Sequence, residues 1–366
     1  MNTGGPLNRQ LIAVLYVLSM LFCLTPAALA TESVISIAAV GDIMMGTTYP
    51  EPTLPPNDGA GIFDAVENYF VPGDIVFGNL EGPLIDNGKT GKCRKNSTMC
   101  FAFSTPTRYA KYLKDSGFNV LNLANNHSFD FGDGGMKSTI AELDALSIKA
   151  VSGSRIARLD IRGRKVSVVG FSFSSPSPYS ITDIAAARQV VTDLKASGDI
   201  VVVSFHGGAE GKAALKTPDA VEYFAGENRG NCIGFSRAMV DAGADLVLGH
   251  GPHILRPMEL YKNRLIVYSL GNFLTFGKFN IREENGISMI LKVDINRDNG
   301  EFAGGKIIPL KLIERGIPVH DTDKNAINLV RELSSRDIGR GNLIITAEGM
   351  LEKGDRPDNV VSSPVR

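Results

Sequence analysis

Four of the chain's five histidines stand just past short apolar runs: His127, His206, His250 and His253. Two acids, Asp42 and Glu81, hold the same kind of position behind the runs Ser33–Val40 and Asp74–Phe77. Each has an ordinary use when taken singly. A histidine after a strand commonly bonds its own turn, Gly41-Asp42 is a frequent turn pair, and Asn125-Asn126-His127 and Gly271-Asn272 suit Asx turns. Together they form a pattern. If the runs are neighbouring parallel strands, all six side chains face one rim, and neutral imidazole with carboxylate oxygen is the donor set a divalent transition metal prefers. Gly251-Pro252 forces a turn between His250 and His253 that aims both rings at one pocket.

The elements that must position these groups alternate in type. Apolar runs at Ser33–Val40, Asp74–Phe77, Asn119–Leu123, Lys165–Phe171, Ile200–Ser204, Leu246–Leu248 and Leu265–Tyr268 predict strands. Helical spacing predicts helices over Gly61–Phe70, Pro106–Ser116, Gly134–Leu146, Asp183–Ala196 and Gly234–Ala242. Short, nearly all-apolar strands between helices imply an α/β chain with its sheet covered on both faces. The ligand site then belongs in the loops after the strand C-termini. Ile287–Ile295 and Lys306–Ile313 alternate as antiparallel edge strands do, so the sheet is mixed or a second sheet packs on the first. The chain turns polar after Ile317, with one helix expected over Lys324–Ser334, one strand over Asn342–Thr346, and loose chain beyond Gly354.

Composition narrows the function classes. With 366 residues, 43% hydrophobic and 21% charged, the chain buries a large core and is not disordered. A net charge of −1 lacks the basic excess of a nucleic-acid binder. Residues 1–30 have the form of a secretory signal: Arg9 first, an apolar run from Leu11 to Leu24, then Pro26 and Ala28-Leu29-Ala30 at the cleavage point. The expected location is secreted or periplasmic, with an uncleaved membrane anchor as the alternative. In an oxidising compartment Cys93 and Cys100, in a turn-rich insert, are expected to pair and leave Cys232 free. A thiol metal site is the alternative there.

Six segments, in order, carry a resemblance: Val40-Gly-Asp-Ile-Met-Met-Gly46, Gly78-Asn-Leu-Glu-Gly-Pro83, Leu123-Ala-Asn-Asn-His-Ser-Phe-Asp-Phe-Gly132, Ser204-Phe-His-Gly-Gly208, Gly249-His-Gly-Pro-His253 and Ser269-Leu-Gly-Asn-Phe273. In these the chain resembles the bacterial capsule-synthesis CapA family, or poly-γ-glutamate synthesis proteins, whose fold is similar to calcineurin-like metallophosphatases. The resemblance implies a four-layer αββα sandwich of two mixed β-sheets over residues 31–316, with 317–366 as a C-terminal extension partly disordered at its end. It also implies one or two divalent ions (Mn, Zn or Fe) held by Asp42, Glu81, Asn126, His206, His250 and His253. His127 would stabilise the transferring phosphoryl group or protonate the leaving oxygen, oriented by Asp130. The chain departs from the metallophosphatase pattern at Met44, at Asn79 and in the two residues between His250 and His253.

Asn79, Asn272 and the loop cations Arg94, Lys95 and Arg229 are candidates for holding substrate. The ligand expected from the resemblance is a polyanionic polymer or a phosphoester, with membrane-bound polymer synthase subunits as partners. Three functions follow: an exported capsule or exopolymer factor, a periplasmic metal-dependent phosphoesterase, or a non-catalytic binding module.

Overall fold

In the computed structural model the described residues are 1, 33–71, 73–86, 88, 91–93, 100–339 and 341–354. The expected leader beyond Met1, the cations Arg94 and Lys95, and the chain after Gly354 fall outside them. The first sheet opens with β1 (Val34–Met44), β2 (Ile75–Leu80), β3 (Val120–Asn122) and β4 (Lys149–Val151). A second sheet is built from β5 (Ala157–Ile161), β6 (Arg164–Ser172) and β7 (Ile200–His206). A small hairpin, β8 (Tyr223–Phe224) and β9 (Glu227–Asn228), interrupts it before β10 (Leu246–His250), β11 (Met258–Tyr261) and β12 (Arg264–Val267). The chain then returns to the first sheet with β13 (Asn272–Thr275), β14 (Ile287–Asn296), β15 (Phe302–Ile313), β16 (Ile317–His320), β17 (Leu343–Ile345) and β18 (Met350–Lys353).

Both sheets are mixed. The first runs β17-β18-β15-β14-β1-β2-β3-β4, parallel from β1 to β4 and antiparallel from β1 outward through β14 and β15. The second runs β11-β12-β10-β7-β6-β5, parallel at its centre with antiparallel edges. Side chains alternate along each strand, so every central strand feeds two cores. Ile35, Ile37, Ala39, Phe77, Val202 and Leu248 meet between the sheets. Ala38, Val40 and Val76 face outward onto Tyr109, Leu113, Met136 and Leu143, from the segment leading into the helix Ala110–Asp115, that helix, and the helix Gly132–Ala145. Val201, Val203 and Phe171 face the other way, onto the helices Ile184–Ala196 and Cys232–Asp241. The result is a four-layer αββα sandwich, as the resemblance implied. Asp183 and Asn231 start the last two helices, each accepting a backbone N–H three residues on.

Two expectations need correction. Gly61–Phe70 is not an α-helix but turns followed by the 3-10 segment Glu67–Phe70. Gly61 sits at φ +81 and Val66 at φ −132, and neither value is helical. The apolar spacing was real, since Ile62, Phe63, Val66 and Phe70 are all buried. The segment after Gly316 is not an appendage to the sandwich either. β16 and β18 pair with β15, and Ala326, Ile327 and Val330 of the Asn325–Leu333 helix join Ile345 and Leu351 in the core between the sheets. Its surface is polar because only one stripe of the helix is buried.

Candidate metal centre

The parallel strands end together. Across the first sheet Asp42 is in register with Asn79, and Asn79 with Asn122. Across the second His250 is in register with His206, and His206 with Ser172. The two rows face each other over the inter-sheet core: His250 Nδ1 lies 3.5 Å from Asp42 Oδ1, and His206 Nδ1 lies 3.4 Å from Asn79 Nδ2. Four residues far apart in the chain thus become neighbours because both sheets end at one level.

The backbone at the rim is drawn tight. After β12 the chain crosses between sheets through residues 268–271, and Gly271 accepts the backbone N–H of Asp42 at 2.9 Å. A Cβ on Gly41 would lie 1.9 Å from that Gly271 carbonyl oxygen, so only glycine fits before Asp42. Past Gly251, His253 takes a left-handed conformation at φ 58, which costs a non-glycine residue about 1–2 kcal/mol. The turn puts His253 Nδ1 3.0 Å from Asp42 Oδ2 and Nε2 3.6 Å from Glu81 Oε1.

Glu81 is the centre of the cluster. It is fully buried, and neither carboxylate oxygen has a hydrogen-bond partner. Its Oε1 is faced by the Nε2 atoms of His253 at 3.6 Å, His127 at 3.9 Å and His206 at 3.9 Å. Asp42, Glu81 and His206 each offer a donor atom, all within 4.8 Å of one another. His206 Nε2, both ring nitrogens of His250 and Asn126 Oδ1 are also buried without a partner. Unpaired buried polar atoms are costly and rare. A carboxylate-imidazole cluster with so many of them fits a divalent cation, which would satisfy them together. Asp42, Glu81 and His206 are the closest group of donors, with His253 and His250 beside Asp42.

The electrostatics of the metal-free rim agree with this. Burial would raise Asp42, but the imidazoles of His250 and His253 beside it hold it well below the usual carboxylate range. Burial pushes Glu81 well up and His206 well down. Burial opposes a charge on His253, yet Glu81 and Asp42 raise it to about 10. Burial also lowers His127, against the pull of Asp130.

His127 is oriented from behind. Its Nδ1 lies 3.0 Å from Asp130 Oδ2, leaving Nε2 toward Glu81. Phe103 N–H donates to the same Asp130 oxygen at 2.7 Å, and Lys92 Nζ pairs with Asp130 Oδ1 at 2.8 Å. Lys92 also donates to the Asn126 carbonyl and adjoins Cys93, which is bonded to Cys100 at a Cα separation of 5.5 Å. Cys232 is buried and free.

The remaining candidates fall differently. Asn79 binds inward: its amide donates to Asp42 at 2.8 Å and its Oδ1 accepts from Asn122 and Asn125. Asn272 is buried beside Asp42 in register, and its amide donates to the carbonyls of Asn285 and Asn280. Arg229 is 3% exposed, paired with Glu210 at 2.8 Å and Glu227 at 3.0 Å, and stacked 4.1 Å over Phe173. It is therefore no free cation for a substrate. Met44 is buried and its sulfur accepts the Gly46 N–H.

Three groups escaped the sequence reading. Lys92 and Asn125 support His127 and Asn79, and Glu210 Oε2 approaches His253 Nε2 to 4.0 Å. The doubled glycine in His206-Gly-Gly-Ala-Glu210 was the available signal for Glu210, because it announces a turn back toward the rim. Over the cluster lies a cleft of about 250 Å³ whose walls include Phe101, Phe103, Phe224 and Phe279, with His127, His253 and Glu210 at its floor.

Residues 36–276 match the family model described as bacterial capsule synthesis protein PGA_cap. The PGA biosynthesis protein CapA of Bacillus subtilis (strain 168) is 32% identical over 261 residues, covering 67% of this chain and 64% of its own length. The chain thus spans just under two thirds of that relative. The capsule biosynthesis protein CapA of Bacillus anthracis is 30% identical over 341 residues, covering 87% of this chain and 77% of its own. Among solved structures, a hypothetical protein from Thermus thermophilus superposes with a TM-score of 0.45 at 14% identity, over 76% of this chain and 99% of its own.

Proposed function

The chain belongs to the family of bacterial capsule synthesis proteins, and from that membership and the rim geometry we propose that it is an exported, metal-dependent phosphoester hydrolase with a metallophosphatase-like centre, serving the assembly of an anionic exopolymer of the poly-γ-glutamate type. The observation that carries the reading is Glu81, a fully buried carboxylate with no hydrogen-bond partner, ringed by three imidazole nitrogens. A bound divalent ion, manganese, zinc or iron by the donor set, supplies Lewis acidity and an acidified water.

The chain's own groups supply the rest. Asp42, Glu81, Asn126, His206, His250 and His253 hold the ion. Asp130 fixes the ring of His127, so Nε2 exchanges the proton of the leaving oxygen. The cleft above the floor orients the substrate and keeps bulk water away. Residues 1–30 support export, and the polymer synthase is then a separate, membrane-bound partner.

One observation favours a small phosphoester over a polymer strand as the group processed at the rim. The cleft is about 250 Å³. Three cations near it are already paired, Arg229 with Glu210 and Glu227, Lys212 with Glu283 and Glu284, and Lys92 with Asp130, while Lys278 lines the cleft itself.

The test is turnover of a chromogenic phosphodiester by protein purified without chelator and supplied with manganese. Turnover that His127→Ala abolishes supports the hydrolase. No turnover with manganese, zinc or iron overturns it.

A further inference from the structure

We propose that Glu210 is a metal ligand, which with His253 completes the second of the two cation positions that the resemblance already implies. The inference rests on the reading of the rim as a metal centre and adds a residue to it.

The argument is one of reach. Metal–nitrogen and metal–oxygen bonds of about 2.0–2.2 Å put two donors on one ion no more than ~4.3 Å apart. Glu81 Oε1 and His253 Nε2 are 3.6 Å apart, and His253 Nε2 and Glu210 Oε2 are 4.0 Å apart. The same Glu81 Oε1 is 3.9 Å from His206 Nε2, with Asp42 close by. Glu81 Oε1 is therefore within reach of both donor groups and could serve either ion. It is fully buried and unpartnered, so the place it occupies calls for positive charge.

Glu210 is also held for the task. Arg229 Nη1 grips its Oε1 at 2.8 Å, which leaves Oε2 directed at His253. Arg229 is itself locked, with its guanidinium 4.1 Å over Phe173 and its backbone carbonyl accepting the Gly208 N–H. Gly208, at φ +87, makes the turn that returns Glu210 to the rim after His206. A carboxylate oriented by a buried arginine toward a histidine already bonded to Asp42 is a ligand with its outer support in place.

The experiment measures manganese bound per chain by equilibrium dialysis with metal analysis, together with the electron paramagnetic resonance spectrum. It compares the wild type, Glu210→Ala and Glu210→Gln. The glutamine variant keeps an acceptor for Arg229, and circular dichroism of the metal-free variants checks folding. The wild type is expected to hold two ions with a spin-coupled spectrum. Both variants are expected to keep one, with an isolated six-line signal, and to bind the second at least about 100-fold more weakly. Two ions retained at wild-type affinity in both variants would overturn the role of Glu210. A single ion in the wild type would overturn the second position and leave the metal centre standing. No ion in the wild type would overturn the centre itself.

Discussion

Replacing Glu81 by methionine should make the metal-free protein more stable and the metal-loaded protein less so. Glu81 is fully buried and neither oxygen is hydrogen-bonded. An unsatisfied buried polar group costs about 1–3 kcal/mol, and an apolar side chain of similar shape removes that cost. His253 keeps its bond to Asp42 in the variant. At about 2.1 cal/mol/K per residue, roughly 300 ordered residues give ~1.5 °C per kcal/mol, so the metal-free midpoint should rise by about 1.5–4.5 °C. Metal at 100 times its dissociation constant stabilises the wild type by about 2.7 kcal/mol, or ~4 °C, and the variant should lose that increment. Differential scanning calorimetry with and without manganese reads both numbers. A variant that melts lower without metal, or one that retains the metal-induced shift, would refute the idea that this carboxylate is kept for a cation.

Four further outcomes follow from the same structure. Metal uptake at pH 7 should release protons, because Glu81 and Asp42 hold His253 at about 10 in spite of its burial, and burial raises Glu81. Calorimetric titrations in two buffers of different ionisation enthalpy would count them; identical heats would contradict the prediction. The same groups fix a sign: the stability His253 contributes is complete below its unfolded pKa near 6.5 and is lost as pH climbs toward 10. The metal-free midpoint should therefore fall over that range while apparent metal affinity rises. Arg256 is fully buried and donates to both oxygens of Glu222 at 2.8 and 2.7 Å, so Arg256→Ala should cost about 3–5 kcal/mol and lower the midpoint by ~5–7 °C in a calorimetric scan. Ending the chain at Gly316 strips Ile327, Val330, Leu333, Ile345 and Leu351 from the core. At about 1.5–3 kcal/mol each, that loss matches the whole stability of a domain, and the truncated protein should show no cooperative melting transition.

Much of the candidate centre was legible because its acids and imidazoles sit at the ends of apolar strands, and strand ends are visible as breaks in hydrophobicity. Asp42, Glu81, His127, His206, His250 and His253 all stand there. Strands apolar on both faces pointed to a covered sheet, mixed or with a second sheet packed on it, and the family resemblance alone implied the four-layer architecture. Glu210, Lys92 and Asn125 were hidden because their roles depend on the path of loops, which carries no periodic signal. Arg229 was misread for a related reason: sequence shows a cation in a polar loop but not the acids and rings closing around it. Asn272 looked like a rim amide, yet it opens a strand and binds the 280–285 loop. The C-terminal helix and strand were legible near 324–334 and 342–346, but their packing on the sandwich was not, since a helix burying one stripe and two short strands hold few apolar residues.

The opposed rows at the rim have a mechanical meaning. One sheet contributes Asp42 and Glu81, the other His206, His250, His253 and Glu210, and the short crossover at 268–271 stitches them together there. A cation gripped from both sides would act as a rivet, fixing how far one half of the sandwich can slide over the other. Loading the ion and stiffening the scaffold then become a single event, and amide exchange along β1 and β10 would register the presence of a metal that neither strand surrounds alone.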